Sequence, residues 1–240
     1  MLPLHKVSIL RKGKVEMGIN YETKQPVVFV VDVSYSMEGE PIIEVQKGLK
    51  LFQEVMLSDY KTATQVEMAL VVFYEKAVVK FDFSAPDEVS IPELECGPAT
   101  CLGGGVLKAI ELIENRKKFY KETGQNYSRP IIVLLTDGEP NGSEEILEEA
   151  YRKIQDMVFQ KKVLLWSFGV EGADMNFLKK FTPNSKGCYV KKLADVNKNF
   201  LHFFQWLSNS ISLVAAHQQD DEILEEIEEW MEEEDLFDSL

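Results

Sequence analysis

The chain has 240 residues, 45% hydrophobic and 28% charged, which is the composition of a globular protein with one large domain or two small ones. Its net charge of −14 is unevenly spread: residues 220–240 hold twelve acids and no Lys or Arg, leaving the remainder at −2. With no net basic surface, nucleic acid is excluded as the expected partner, and no apolar run approaches the ~20 residues that span a bilayer.

The start, MLPLHKVSILRKGK, has charges inside too short an apolar stretch for a signal peptide. A cytoplasmic location is therefore expected. Cys96, Cys101 and Cys188 are an odd number and fit free thiols in a reducing compartment. Residues 1–25 read as an N-terminal arm or a small hairpin, with Val7–Leu10 and Val15–Met17 flanking Arg11–Lys14.

The first clear strand is 26–32, an unbroken apolar, β-branched run ending in Asp32. Such a run suits a strand buried on both faces of a parallel sheet. Pro41 opens a helix with Ile42, Val45, Leu49, Phe52 and Met56 on one face. Val66–Phe73 and Ala77–Phe83, separated only by Tyr74-Glu75-Lys76, predict a hairpin that brings one antiparallel strand into the sheet. Residues 84–103 have no clear period and read as a long loop, a kind that is often functional. A helix at roughly 104–121 follows, with Val106, Leu107, Ile110 and Ile113 inward. Pro130–Leu135 is a second buried strand, and Ser143 caps the next helix with Glu144 and Glu145 in its first turn. Val163–Phe168 is a third buried strand. A short helix near 174–181, a strand over 188–193 and a long helix over 197–214 complete the body. This alternation predicts one α/β domain over 26–214, doubly wound and mostly parallel, with helices on both faces. Residues 215–240 form an acidic amphipathic tail.

In such sheets ligands sit outside the carboxyl ends of the strands. Asp32, Ser34 and Ser36 lie at one strand end and Asp137 at another, and Thr100 lies in the glycine-rich loop before the helix at 104–121. Five oxygen donors of this kind suit a hard divalent cation such as Mg²⁺. Taken alone, Asp-x-Ser-x-Ser also occurs as a strand-ending turn.

Together, Asp32-x-Ser34-x-Ser36, the loop Thr100 and Thr136-Asp137-Gly138 resemble the metal-ion-dependent adhesion site of von Willebrand factor A domains. The stretches SMEGEPI, LTDGEPN and FFQWLSNSIS are similar to the bacterial TerY-like branch associated with tellurium resistance. The resemblance implies a six-stranded sheet and a bound Mg²⁺ or Mn²⁺. It implies Ser34, Ser36 and Thr100 as direct or near-direct ligands, with Asp32 and Asp137 acting mostly through water. It also implies a partner Asp or Glu on the open metal position, and a stress-response setting in company with a protein kinase and a phosphatase. The family pattern expects a Gly-Gly-Thr loop, and this chain has Pro98-Ala99-Thr100.

The reading is a binding module, not an enzyme. The alternative is a Mg-dependent hydrolase or phosphatase using Asp32. It lacks a second aspartate two residues on, and His5, His202 and His217 lie far from the motifs. Gly103-Gly104-Gly105 lacks the lysine of a phosphate-binding loop. The aromatic run from Phe200 to Leu207 reads as the core face of a terminal helix. In the tail, Ile223, Leu224, Ile227, Trp230 and Met231 share one helical face. That face is expected to dock on the body, on a second copy or on a partner, and a tail carboxylate reaching the metal is the weaker half of that expectation.

Overall fold

The structure is a computed structural model and describes residues 22–137, 141–170, 172–193, 196–217, 221–233 and 237. The hairpin expected within 1–25 lies outside these residues, apart from 22–25. Six strands form one sheet: β1 (Gln25–Asp32), β2 (Val66–Phe73), β3 (Ala77–Ser84), β4 (Ile131–Thr136), β5 (Leu164–Gly169) and β6 (Tyr189–Lys192). Their order is β3-β2-β1-β4-β5-β6, with only the β2–β3 pair antiparallel. The order reverses between β1 and β4, which makes their carboxyl ends the switch point where ligands of this architecture bind.

Strand periodicity divides the core in two. Val27, Phe29 and Val31 of β1 point to one face and Val28 and Val30 to the other, all fully buried. Helices α1 (Glu40–Ser58) and α6 (Val196–His217) cover the first face. Helices α3 (Leu102–Thr123), α4 (Glu144–Phe159) and α5 (Met175–Phe181) cover the second. The inward residues expected of α1 are all buried, as are Phe200, Phe203, Phe204, Trp206 and Leu207 of α6, whereas Leu201 of the same expected cluster faces outward and is exposed. Gly48 lets α1 and α6 approach closely, because a Cβ there would stand 2.0 Å from the Phe204 ring.

Two elements differ from the sequence expectation. A short helix, α2 (Tyr60–Gln65), continues α1, capped by Asp59, whose carboxylate accepts from the Thr62 N–H at 2.8 Å. Helix α3 begins at Leu102, two residues earlier than expected, so Gly103 joins Gly104 and Gly105 in its first turn. There Gly103 presses on the α4 backbone at Leu147 and Gly105 on Phe73, contacts a side chain would block.

The tail forms α7 (Asp221–Glu233), which buries Leu224, Ile227 and Met231 in the α1–α6 core. Tyr189 donates its hydroxyl proton to the Leu224 carbonyl at 2.6 Å, and Lys186 meets Glu225 at 2.6 Å. Beyond α7, Phe237 bridges Leu193 in antiparallel fashion and its ring lies 5.4 Å from that of Trp206. Among the three docking surfaces expected, α7 uses its own body. Lys186 precedes β6, so the α7 acids that pair with it stand at the opposite end of the sheet from the switch point.

Candidate metal centre

The five residues expected at the site come from three loops, and the sheet brings those loops together. Asp32 ends β1 and is fully buried. One of its oxygens accepts from the Ser34 N–H at 2.9 Å and the other from the Thr136 hydroxyl at 2.7 Å. After β1 the chain makes one 3₁₀ turn (Tyr35–Met37), which sets Ser34 and Ser36 on one side with their hydroxyls 2.9 Å apart. Ser36 donates to Asp137 at 3.0 Å. Asp32, Ser34, Ser36 and Asp137 thus form one hydrogen-bonded cluster across the β1–β4 switch point.

Thr100 reaches the same end on the loop before α3. That loop is tied to β1 by a bridge between Ser34 and Gly97, with the Gly97 N–H donating to the Val33 carbonyl at 2.8 Å. The Cys101 N–H donates to the Tyr74 carbonyl at 2.6 Å. Thr100 is buried, and its nearest hydrogen-bond partner is Asn141: the Thr100 N–H donates to Asn141 Oδ1 at 2.6 Å, and the Asn141 N–H returns to the Thr100 carbonyl at 3.2 Å. Ala99, just before it, has φ of 63°. This is the left-handed backbone that a glycine adopts freely, so Ala99 takes up the conformation that the expected Gly-Gly-Thr loop would reach without a Cβ.

Thr136 and Asn141 are the site residues that sequence reasoning missed. Thr136 had a local signal, because a hydroxyl closing a fully buried apolar strand must find an acceptor. Asn141 had none, since its partner lies 41 residues away.

The electrostatics favour a cation. Burial strips water from Asp32 and pushes its carboxyl up to about 6, against the opposing hydrogen bonds from Thr136 and Ser34. Burial also raises Asp137, although Ser36 donates to it. Among the described residues no Lys, Arg or His forms an ion pair with either acid, and no group of three His, Cys, Asp or Glu stands ready for a metal. Two buried carboxylates without a counter-cation, ringed by hydroxyl oxygens, are a donor set that fits a hard, oxygen-seeking ion. The fit depends on serine and threonine and not on a carboxylate cage.

A six-stranded, mostly parallel sheet with helices on both faces defines a doubly wound α/β domain. The chain belongs to the von Willebrand factor type A domain family, whose model matches residues 27–206. This is a family of protein-interaction modules. Inter-alpha-trypsin inhibitor heavy chain H1 of Bos taurus is 26% identical over 195 residues, 77% of this chain and 21% of that protein. Voltage-dependent calcium channel unc-36 of Caenorhabditis elegans is 26% identical over 186 residues, 74% of this chain and 13% of that protein. The chain thus spans about a fifth or less of the length of these relatives. Among solved structures, a von Willebrand factor type A protein from Catenulispora acidiphila aligns over 80% of this chain and 43% of its own, with a TM-score of 0.62 and 14% identity. The pilus adhesin SpaC from Lactobacillus rhamnosus GG aligns over 80% and 30%, with a TM-score of 0.62 and 14% identity. At these identities the structural likeness shows the fold. Among the described residues no helix is long and apolar enough to cross a membrane.

Proposed function

We propose that the protein is a metal-dependent protein-interaction module that binds a partner through an Asp or Glu side chain. The observation that carries this reading is the hydrogen-bonded cluster of Asp32, Ser34, Ser36 and Asp137 at the switch point, with its two buried acids unpaired by any cation among the described residues. Ser34, Ser36 and Thr100 are the residues that would hold Mg²⁺ or Mn²⁺ directly, with Asp32 and Asp137 acting mostly through water. When bound, such an ion supplies an electrophilic point for a partner carboxylate. The chain's own part is to hold its hydroxyls in place and keep its two acids buried beside them. With only neutral hydroxyl and water oxygens bonded to it directly, the ion stays electrophilic, which favours one anionic group from outside.

Binding without catalysis is the better reading, because His202 and His217 are exposed on α6 and no second acid follows Asp32 at two residues. Three free cysteines support a cytoplasmic location. The stretches SMEGEPI, LTDGEPN and FFQWLSNSIS support the finer assignment to a TerY-like, stress-response module working beside a protein kinase or phosphatase. Calorimetric titration with Mg²⁺ tests the core of the proposal. Wild type should bind one ion and Asp32→Ala none, and equal binding by both refutes the site. Affinity capture from the native host, in Mg²⁺ and again in EDTA, then tests the partner: a protein retained only with Mg²⁺ is expected, and identical sets in both refute metal-dependent recognition.

A further inference from the structure

We infer that Asn141 is a positioning residue for the metal site, and that it sets the site's preference for a small divalent ion. The inference rests on the metal reading above. Thr100 belongs to the loop before α3, while Asp137 belongs to the loop after β4. Asn141 joins the two with a reciprocal pair of hydrogen bonds, one from the Thr100 N–H to Oδ1 at 2.6 Å and one from its own N–H to the Thr100 carbonyl at 3.2 Å. Both backbone polar groups of Thr100 are thereby satisfied by a single residue.

The loop needs such a hold. Ala99 sits in left-handed backbone at φ 63°, a conformation that persists in a residue with a Cβ only when its surroundings impose it. Cys101 is fixed on the far side by its bond to the Tyr74 carbonyl. Gly142, next to Asn141, lies so close to Cys101 that a Cβ there would stand 3.3 Å from the Cys101 Cα. Asn141 and Gly142 together hold the backbone of Thr100 and Cys101 against the segment that follows Asp137 in the chain.

That rigidity has a chemical consequence. Mg²⁺ demands near-ideal octahedral geometry at about 2.0–2.1 Å, whereas Ca²⁺ accepts longer, irregular and more numerous bonds. A clamped threonine therefore favours Mg²⁺, and a released one loses that advantage while still serving Ca²⁺.

The experiment is calorimetric titration of the full chain with Mg²⁺ and separately with Ca²⁺. Partners outside the ligand set shift metal affinity by about 10–100-fold when removed, so Asn141→Ala should weaken Mg²⁺ by at least about tenfold and Ca²⁺ far less. Asn141→Asp keeps the Oδ1 acceptor and should restore the Mg²⁺ over Ca²⁺ ratio. Gly142→Ala, whose Cβ would crowd the Cys101 backbone without touching a ligand, should lower the ratio in the same direction and serves if Asn141→Ala fails to fold. A ratio unchanged in these variants, with wild type binding Mg²⁺ and Asp32→Ala not, overturns the clamp and leaves the metal site standing. Absence of Mg²⁺ binding by wild type overturns both.

Discussion

Thr136 donates its hydroxyl proton to Asp32 across the β1–β4 junction at 2.7 Å, so the last residue of one central strand orients the last residue of the other. With the Ser34 N–H on its second oxygen, Asp32 is held by donors on both sides inside the fold. Replacing Thr136 by Val leaves that buried carboxylate short of a partner. The expected cost is about 1–3 kcal/mol in urea unfolding, together with weaker Mg²⁺ binding. Thr136→Ser keeps the donor and should recover most of both; a loss in Ser with none in Val would show that the methyl group, not the hydroxyl, matters.

The raised Asp32 carboxyl makes a pH prediction for the metal-free protein. Its ordinary value is 3.8 and its folded value about 6, so between these the folded state holds a proton that the unfolded chain releases. Stability from this group is therefore greatest in acid and is lost as pH rises through about 6, by about 1 kcal/mol between pH 5 and pH 7. Urea unfolding of wild type in EDTA, compared with Asp32→Asn, should show that difference. Mg²⁺ affinity should run the other way and tighten as pH rises through the same window. Parallel pH curves for the two proteins would contradict the assignment.

Ala99→Gly should stabilise the protein. Left-handed backbone costs a residue with a Cβ about 1–2 kcal/mol, and the extra freedom of glycine in the unfolded chain returns roughly 0.5–1 kcal/mol of that. A net gain below about 1 kcal/mol, read from denaturant midpoints, is expected. A loss would mean that the loop does not need the left-handed conformation.

Gly48→Ala tests the α1–α6 contact. Alanine is the better helix former by about 1 kcal/mol, yet its Cβ would collide with the Phe204 ring. Overpacking of this kind costs about 1–3 kcal/mol, so a net drop in thermal stability is expected. Phe204→Leu in the same chain should relieve part of the clash, a non-additivity that a double-mutant cycle detects.

The tail divides into a part that stabilises and a part that does not. Leu224→Ala removes a fully buried side chain beneath α7 and should cost about 2–5 kcal/mol. Lys186→Ala breaks exposed pairs with Asp221 and Glu225 and should cost no more than about 1 kcal/mol. Similar small effects from both, in chemical unfolding, would mean that α7 is not docked in solution.

The alternation of buried strands and amphipathic helices was legible in the sequence, because burial on two faces demands unbroken apolar runs and burial on one face demands a helical stripe. The strand-end positions of Asp32, Ser34, Ser36 and Asp137 were legible for the same reason: polar residues that close an apolar run must emerge at the end of a strand. Helix α2 was not, since six residues span too few turns to show a period, although Asp59 and Thr62 carry its cap. Tertiary structure alone decided the rest. The order β3-β2-β1-β4-β5-β6 made two distant strand ends neighbours. Only then did Thr136 face Asp32, and only then did Asn141 meet Thr100. The periodic apolar pattern gave α7 a face but no address; Tyr189, Gly187 and the α6 aromatics supplied the surface that received it. Local patterns record which residues must leave water, whereas contacts between loops depend on where the assembled sheet delivers them.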